Sequence, residues 1–333
     1  MDSLTQIVLG AAVGNATLGK RIGNKAILYG AIAGTIPDLD VIFGKFTDTI
    51  TAVEWHRGFS HSILFCVLFS PVFGWLINKI ERKLNLGWKP LAKLFFWGMF
   101  THPLLDAFTT WGTQLFWPID LSLAFNSIFV VDPLYTLPFL LLTVASMFFK
   151  RDAVTRSKLN KLGLIISSVY LLLTVGLKLF VTQKFEKVLQ EQNIDYSQIN
   201  TRPTPMNTIL WNANVETEGS YLIGDYSFFD SQPIQFKTYP KNREASKELL
   251  EFPNVKRLID ISKGWFIIEK KNNNWYFNDL RFGVIPKKDR APAFVFSYLL
   301  EQVDGKIIAT ETPKTSQDAK FVLTTLWKRI LGN

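Results

Sequence analysis

Residues 56–80 have the sequence HRGFSHSILFCVLFSPVFGWLINKI. Two histidines, His56 and His61, stand at the start of an apolar run that is long enough to cross a bilayer, which takes about 20 helical residues. The stretch therefore predicts a membrane helix, and it places two side chains of a metal-binding type at one end of that helix.

Other apolar segments flank this one on both sides. In chain order the six segments are Leu4–Leu18, Ala26–Phe43, His61–Ile80, Leu91–Phe108, Ile128–Phe149 and Leu162–Val181. Segments two to six meet or nearly meet the length of a spanning helix. The first is short and carries Asn15, so we expect it to be tilted, buried among the others or re-entrant. Together they predict a multipass α-helical membrane domain over residues 1–183.

The composition agrees with a membrane protein. Hydrophobic residues make up 48% of the 333 residues and charged residues only 20%, below the roughly 25% of soluble proteins. The deficit lies before residue 184, which excludes a wholly cytosolic globular protein. The single cysteine, Cys66, excludes a disulfide scaffold and a cysteine-rich zinc module.

The net charge of +9 follows from membrane topology, and we expect no binding of nucleic acid. In the connections between apolar segments, thirteen basic residues lie on one side and only Lys45 and Arg57 lie on the other. The thirteen are Lys20, Arg21, Lys25, Lys79, Arg82, Lys83, Lys89, Lys93, Lys150, Arg151, Arg156, Lys158 and Lys161. Since basic loops face the cytoplasm, the N-terminus, the loops near residues 45–60 and 110–127, and all residues after Val181 are predicted to lie outside it.

The chain after Gln183 changes character. Apolar and polar residues alternate in short runs, and Asn272–Asn274 marks a turn, which predicts β-strands. The runs include Tyr221–Phe229, Trp265–Lys270 and Trp275–Phe277. The spacing over Ala245–Phe252 and Asp318–Leu331 is helical. We therefore predict a soluble extracytoplasmic domain over residues 184–333, of α+β class and largely β.

All three histidines of the chain lie within 47 positions, close to four carboxylates. The seven residues are Asp38, Asp40, Glu54, His56, His61, His102 and Asp106. An ionisable group in or beside an apolar segment costs several kcal/mol unless it is paired or bound to a metal. In the predicted topology the seven residues meet at one face of the membrane, the extracytoplasmic one. We interpret them as a site for one or two divalent ions.

The local spacing agrees with metal binding. His102 and Asp106 are four residues apart and share one helix face. Asp38 and Asp40 converge if the backbone is extended there and diverge if it is helical. Imidazoles with carboxylates suit zinc, with manganese or iron as alternatives. Six or seven ligands exceed the four of a closed zinc site, which favours a two-metal centre that activates water.

Several neighbouring residues have more than one interpretation. Arg57 either holds a substrate phosphate or neutralises Asp40. Asp132 either caps the fifth apolar segment, the role that we favour, or adds a ligand. Glu54 is our prediction for the general base of catalysis. Ser3 and Ser60 are predicted N-caps of the first and third segments.

Three motifs in this order resemble the YdjM-like family of bacterial inner-membrane proteins, which are described as metal-dependent hydrolases and as LexA-binding. The motifs are Ile36-Pro37-Asp38-Leu39-Asp40, His56-Arg57-Gly58-Phe59-Ser60-His61, and Thr101-His102-Pro103-Leu104-Leu105-Asp106 running on to Trp117-Pro118. The resemblance, over roughly residues 1–140, implies an inner-membrane hydrolase. It also implies metal-site positions at Asp38, Asp40, His56, His61, His102 and Asp106. Relatives carry a histidine near the N-terminus where this chain has Gln6, which is therefore an additional candidate ligand.

We predict a membrane-embedded metal-dependent hydrolase that acts on a lipid or lipid-linked phosphate ester. The alternatives are a non-catalytic membrane scaffold with a structural metal, and a metal or proton transporter. A transporter predicts polar residues along both halves of the helices, whereas the candidate ligands cluster at one end. A closed four-ligand site would favour the scaffold.

Overall fold

The computed structural model describes residues 1–288, 290–313 and 319–333. The chain divides into two compact units. The first contains Met1–Phe46, Trp55–Leu177 and Pro205–Asn207, and the second contains Thr47–Glu54, Lys178–Thr204 and Thr208–Asn333.

The chain before residue 198 is helical. Its helices are α1 (Ser3–Ile22), α2 (Asn24–Thr35), α3 (Asp40–Gly44), α4 (Thr49–Trp55), α5 (Ile63–Ile80), α6 (Trp88–Asp106), α7 (Pro133–Met147) and α8 (Val154–Glu191). Short 3-10 turns lie at Ile36–Leu39, Phe59–His61 and Arg82–Leu84. The first 3-10 turn joins α2 to α3, so that residues 24–44 form one continuous stretch.

Among the described residues, three helical stretches are long and apolar enough to cross a membrane, whereas the sequence predicted about six apolar helices. They are Asn24–Gly44, Ile63–Ile80 and Val154–Glu191. α7 is apolar but has only 15 residues, because Asp132 and Pro133 start it late in the fifth segment. α6 has 19 residues but carries Lys89, Lys93 and Asp106. The first segment is one continuous helix of 20 residues, and much of α1 is buried.

The N-caps of two helices differ from those predicted. Asp2, not Ser3, caps α1, and its Oδ1 accepts a hydrogen bond from the Thr5 N–H at 3.1 Å. Ser62 caps α5 and accepts from the Phe65 N–H at 3.0 Å. The cap lies one residue before the predicted Ser3 and two residues after the predicted Ser60, so Ser60 has another role.

α1 and α2 pack with their backbones in contact at glycines. A Cβ atom added to Gly10 would lie 2.3 Å from the carbonyl oxygen of Gly30, and one added to Gly14 would lie 2.2 Å from a backbone oxygen of α2. A Cβ on Gly34 would lie 2.5 Å from the backbone oxygen of Gln6. Only glycine fits at such distances, and pairs of small residues four apart let two helices approach this closely. The contact fixes the start of α1 beside the end of α2.

α6 packs into the same group. A Cβ atom on its Gly98 would lie 2.6 Å from Cβ of Ala33 in α2. Large side chains of α6, including Leu94, Phe95 and Met99, fill the core beside this contact. The last turn of α6 is thereby held against the end of α2.

The second unit contains two four-stranded sheets whose neighbouring strands are antiparallel. One sheet consists of β1 (Gln198–Pro203), β2 (Leu210–Glu216), β3 (Ser220–Ser227) and β4 (Phe236–Pro240). The other consists of β5 (Phe266–Lys271), β6 (Asn274–Lys287), β7 (Arg290–Val303) and β8 (Lys306–Glu311). In both sheets the strands are arranged in chain order. At the predicted turn, Lys271 pairs with Asn274, and Asn272 and Asn273 have φ angles of 49° and 67°. The predicted β-rich C-terminal region is confirmed.

Three helices accompany the sheets. They are α9 (Lys247–Leu250), α10 (Pro253–Ile261) and α11 (Ala319–Ile330). The helix predicted over Ala245–Phe252 is therefore shorter, because Pro253 begins a new helix. The predicted helix over Asp318–Leu331 corresponds to α11, and Asp318 lies outside the described residues.

α4 belongs to the second unit, although it stands between two of the sequence motifs. Ile50 is buried in one core with Val255, Phe277 and Tyr298. This segment is therefore ordered by residues that lie more than two hundred positions later in the chain.

We expect Gly10→Ala and Gly30→Ala each to lower the stability of the helical unit, because the added methyl group meets backbone atoms that cannot move aside. Overpacking of this kind costs about 1–3 kcal/mol. Gly176→Ala is the matched control, since nothing lies within 4 Å of a Cβ atom there. Thermal unfolding of the detergent-solubilised variants measures the effect. A Gly30→Ala protein as stable as Gly176→Ala would contradict the contact.

Candidate metal centre

Four of the predicted ligands come together in the first unit. Asp38, His61, His102 and Asp106 each offer one ligand atom, and these atoms all lie within 4.8 Å of one another. The two histidines and Asp106 are buried, whereas 23% of the Asp38 side chain is exposed. The group is therefore reached from outside on the Asp38 side.

Three local structures position these four side chains. Asp38 lies in the 3-10 turn that follows α2. His61 ends the 3-10 turn before α5. His102 and Asp106 lie one turn apart at the end of α6, where the Ala107 N–H donates to the Pro103 carbonyl oxygen at 3.0 Å. The predicted i, i+4 pair thus shares one helix face.

The distances between the ligand atoms suit a tetrahedral ion. His61 Nε2 and His102 Nε2 are 3.2 Å apart. Asp38 Oδ1 lies 3.4 Å and 3.3 Å from these two nitrogens, and Asp106 Oδ2 lies 3.5 Å from each. Metal–ligand bonds of about 2.0–2.2 Å in a tetrahedron separate the ligand atoms by about 3.3–3.6 Å. The group of four can hold a metal ion.

Hydrogen bonds turn both Nε2 atoms of this group toward its centre. His102 Nδ1 lies 2.6 Å from the Gly34 carbonyl oxygen. That oxygen can only accept, so Nδ1 carries the proton and Nε2 keeps its lone pair. Ser60 Oγ lies 2.9 Å from His61 Nδ1 and donates to Asp40 at 2.9 Å, so it accepts from His61 in the same way. Such partners hold metal-binding histidines in position.

Asp106 has one oxygen that fits a metal ion. Gln6 Nε2 donates to its Oδ1 at 2.9 Å, and the Met1 amino group also bonds this oxygen. Its Oδ2 is buried without a hydrogen bond, although Arg57 Nε lies 3.2 Å away. A carboxylate oxygen in this state is satisfied by a cation.

Asp40 and His56 lie beside the group but outside it. Because the backbone after Pro37 is helical, Asp40 diverges from Asp38. Its carboxylate accepts from the Arg57 N–H at 3.0 Å and lies 3.1 Å from His56 Nδ1. The ring centroids of His56 and His61 are 5.9 Å apart. The Asp40 carboxylate therefore holds the loop that carries His61.

Arg57 is directed at Asp106 rather than at Asp40. Its guanidinium is buried, and Nη1 donates to Thr109 Oγ1 at 2.9 Å. Arg57 has a φ of 62°, and its carbonyl oxygen accepts from the Gln114 N–H at 3.1 Å. Two roles were predicted for Arg57, to hold a substrate phosphate or to neutralise Asp40. Its side chain forms its ion pair with Asp106 and not with Asp40.

Glu54 is not a member of the group of four. It lies in the second unit, where its carboxylate accepts from Nε and Nη2 of Arg257 at 2.9 Å and 2.6 Å. The hydrogen bonds to Glu54 raise the pKa of the Arg257 guanidinium. Its role as a general base stays a prediction.

Asp132 has the cap role that we favoured. Its Oδ1 accepts from the N–H groups of Leu134 and Tyr135 at 2.9 Å and 3.2 Å, and Tyr170 donates to its other oxygen at 3.0 Å. Three protein donors thus occupy this carboxylate.

Sequence reasoning missed three contributors to the site. The Gly34 carbonyl and the Thr109 hydroxyl act through atoms that no motif marks. Ser60 was assigned to a cap, but its place beside His61 in the His56–His61 motif was a signal for a role in holding the imidazole.

A family model described as YdjM inner membrane protein matches residues 1–184. No curated protein and no solved structure matches the chain. The match covers the three motifs and the whole group of four.

We expect purified protein to contain a divalent ion that His61→Ala removes, because two of the four ligand atoms are imidazole nitrogens. His56→Ala is the matched control, because His56 is the one histidine of the sequence that is not a member of the group of four. Elemental analysis of both proteins measures the metal content. Equal content in the two variants would exclude the group of four as the binding site, and loss of a second ion in His56→Ala would reveal a two-metal centre.

Proposed function

This chain belongs to the YdjM inner membrane protein family, and from that premise we propose that it is a membrane-embedded metal-dependent hydrolase. The observation that carries the proposal is the set of four ligand atoms, in which His61 Nε2 and His102 Nε2 lie 3.2–3.5 Å from each other and from both carboxylate oxygens. We assign zinc as the first choice of ion, with manganese or iron as alternatives. The family membership of residues 1–184 supports an inner-membrane location.

The donor set favours catalysis over a purely structural metal. Structural zinc sites use mainly cysteine, whereas catalytic zinc sites use histidine and carboxylate ligands. The single cysteine, Cys66, is buried in α5 and is not a member of the group of four. The partly exposed Asp38 leaves one side of the site accessible to water and substrate. The donor set and the access at Asp38 support the hydrolase, whereas a closed set of four protein ligands is the arrangement expected of the scaffold.

A bound divalent ion would lower the pKa of a coordinated water toward about 7 and polarise a phosphoryl or acyl oxygen. The chain itself supplies the remaining parts. Gln6 and Arg57 fix the Asp106 carboxylate, and Gly34 and Ser60 fix the two imidazoles. The Arg57 guanidinium adds positive charge beside the group, which favours an anionic substrate such as a phosphate ester.

The surface next to the site favours a lipid substrate. Leu39, Val41, Ile42 and Phe43, the neighbours of Asp38 and Asp40, are exposed, and 66% of Phe43 is accessible. Exposed apolar side chains in a row are typical of a surface that contacts lipid or an apolar ligand. They belong to the candidate span Asn24–Gly44, whose end carries the site. A lipid or lipid-linked phosphate ester fits this arrangement.

One observation bears on the transporter alternative. A second buried polar group, containing Asn15 and Arg156, lies near the other end of α1. Between Gln6 and Asn15, however, α1 has only the apolar residues Ile7–Gly14, about 12 Å of helix. Glycines hold that stretch against α2 backbone to backbone, and its side chains are all apolar, so it offers no polar group for an ion pathway. The hydrolase therefore remains the better account.

We expect His102→Ala and Asp106→Ala each to abolish hydrolysis while the protein stays inserted in the membrane. Loss of a ligand removes the activated water, so the rate should fall by several orders of magnitude. Phosphate release from a panel of lipid phosphate esters, with phosphatidic acid as the first member, measures the rate. Lys83→Gln, which alters an exposed residue outside the three motifs, should keep the wild-type rate. Full activity in both ligand variants would refute the proposed function.

The same assay tests Glu54. As a general base, Glu54→Gln should keep its metal and lose roughly 10²–10⁴-fold in rate. Arg257→Gln is the matched control, because it breaks the same ion pair from the other side. If both variants lose the same rate, Glu54 acts through its bond to Arg257 and the base lies elsewhere.

We expect the C-terminal unit to lie outside the cytoplasm, because thirteen basic residues flank one side of the apolar segments and two flank the other. Alkaline phosphatase fused after Asn333 should be active, since this enzyme needs an oxidising compartment. A cytoplasm-dependent reporter at the same position is the control. Activity of that reporter alone would reverse the assigned orientation.

A further inference from the structure

A buried arginine stands at the opposite end of α1 from the metal centre. Arg156 lies in the first turn of α8, and only 3% of it is exposed. Its Nε donates to Asn15 at 3.0 Å and its Nη1 donates to Asn24 at 2.7 Å. Nη1 also lies 3.5 Å and 3.3 Å from the carbonyl oxygens of Ser146 and Phe149. The guanidinium is thus held in a fixed orientation by α1, α2 and α7.

The contacts of Arg156 leave its charge unbalanced. Every acceptor is a neutral amide or carbonyl oxygen. Among the described residues, no carboxylate forms an ion pair with it. Its Nη2 is buried and has no hydrogen-bond partner in the described part of the chain. Since a buried charge is costly unless an opposite charge accompanies it, this nitrogen is suited to an anion.

An open surface cavity of about 390 Å³ is lined in part by Arg156. Lys150, Arg151 and Asn24 line it together with Arg156, and Asp152 is the one acidic residue of the lining. Lys150 and Arg151 are exposed, and Arg151 is held by a bond from Nη1 to the Arg21 carbonyl oxygen at 3.0 Å. Three cations against one carboxylate make the cavity positively charged. Its size exceeds what one water molecule needs and admits a phosphate ester.

We propose that this cavity is a binding site for a phosphate-ester anion, in which Arg156 supplies the buried contact and Lys150 and Arg151 supply the rim. Arginine recognises phosphate through its planar array of N–H donors, and the start of α8 adds the positive end of a helix dipole. The chemistry fits either the headgroup of an anionic phospholipid or a free phosphate compound. Basic pockets between membrane helices on the cytoplasmic side are typical places for such headgroups, and positive charge at residues 20–25 and 150–161 assigns the cavity to that side.

The test measures binding to the full-length protein in detergent. Short-chain phosphatidylglycerol, short-chain phosphatidylcholine and inorganic phosphate are titrated separately, with thermal shift and native mass spectrometry as the readouts. The wild type should bind phosphatidylglycerol saturably and phosphatidylcholine at least about tenfold more weakly, the factor that corresponds to one charge-assisted hydrogen bond. Binding of inorganic phosphate with equal affinity would identify a free phosphate compound as the natural ligand and would support the site.

Three variants assign the binding to this cavity. Arg156→Gln should weaken phosphatidylglycerol binding about tenfold or more. Lys150→Gln/Arg151→Gln alters exposed side chains and removes, besides the two charges, the hydrogen bond from Arg151 to the Arg21 carbonyl oxygen. It should weaken binding as well and carries the test if Arg156→Gln fails to fold. Lys158→Gln, an exposed cation of α8 that does not line the cavity, should bind as the wild type does. Two results would overturn the proposal. One is equal binding by the double variant and by Lys158→Gln. The other is equal affinity of the wild type for the anionic and zwitterionic lipids, with no binding of phosphate.

Discussion

The candidate metal centre depends on the contact between the backbones of α1 and α2. Gly10, Gly14, Gly30 and Gly34 have no Cβ atom, so the two helices lie closer at these positions than any larger residue permits. The contact brings the Gly34 carbonyl oxygen to the place where His102 needs an acceptor. It also places the start of α1 where the Gln6 amide reaches Asp106. Helix packing and the orientation of the ligands therefore have one physical origin.

The buried charged side chains of the first unit have two kinds of surroundings. At the candidate metal centre, Asp106 and Arg57 lie 3.2 Å apart. The His102 imidazole lies close to both Asp38 and Asp106. Groups of both charge signs therefore lie within a few ångströms of each other. At the other end of α1, Arg156 meets only neutral oxygens. The apolar stretch of α1 between the two groups keeps them separate. A membrane protein that retains isolated charge inside its helices commonly does so for a function.

The sequence was informative where a side chain alone determines the outcome. Asp38, His61, His102 and Asp106 could be assigned to one site because burial of such groups demands partners, and Asp132 with Pro133 could be recognised as a helix start. The divergence of Asp38 and Asp40 could not be predicted, because it depends on whether the backbone after Pro37 is helical or extended. Of the roughly six apolar segments predicted, three correspond to candidate spans among the described residues, because α7 begins only at Pro133 and α6 carries Lys89, Lys93 and Asp106. The role of Gly34 depends on a carbonyl group, which every residue has and no pattern distinguishes.

The position of α4 has a consequence for the order of events during synthesis. Glu54 and its partner Arg257 are 203 positions apart in the chain. At a ribosomal rate of about 5–20 residues per second, roughly 10–40 s pass between the appearance of the two residues. Val255 and the later residues that surround Ile50 appear only at the end of that interval or after it. The segment between the first two motifs therefore stays without its core until most of the polypeptide has been synthesised.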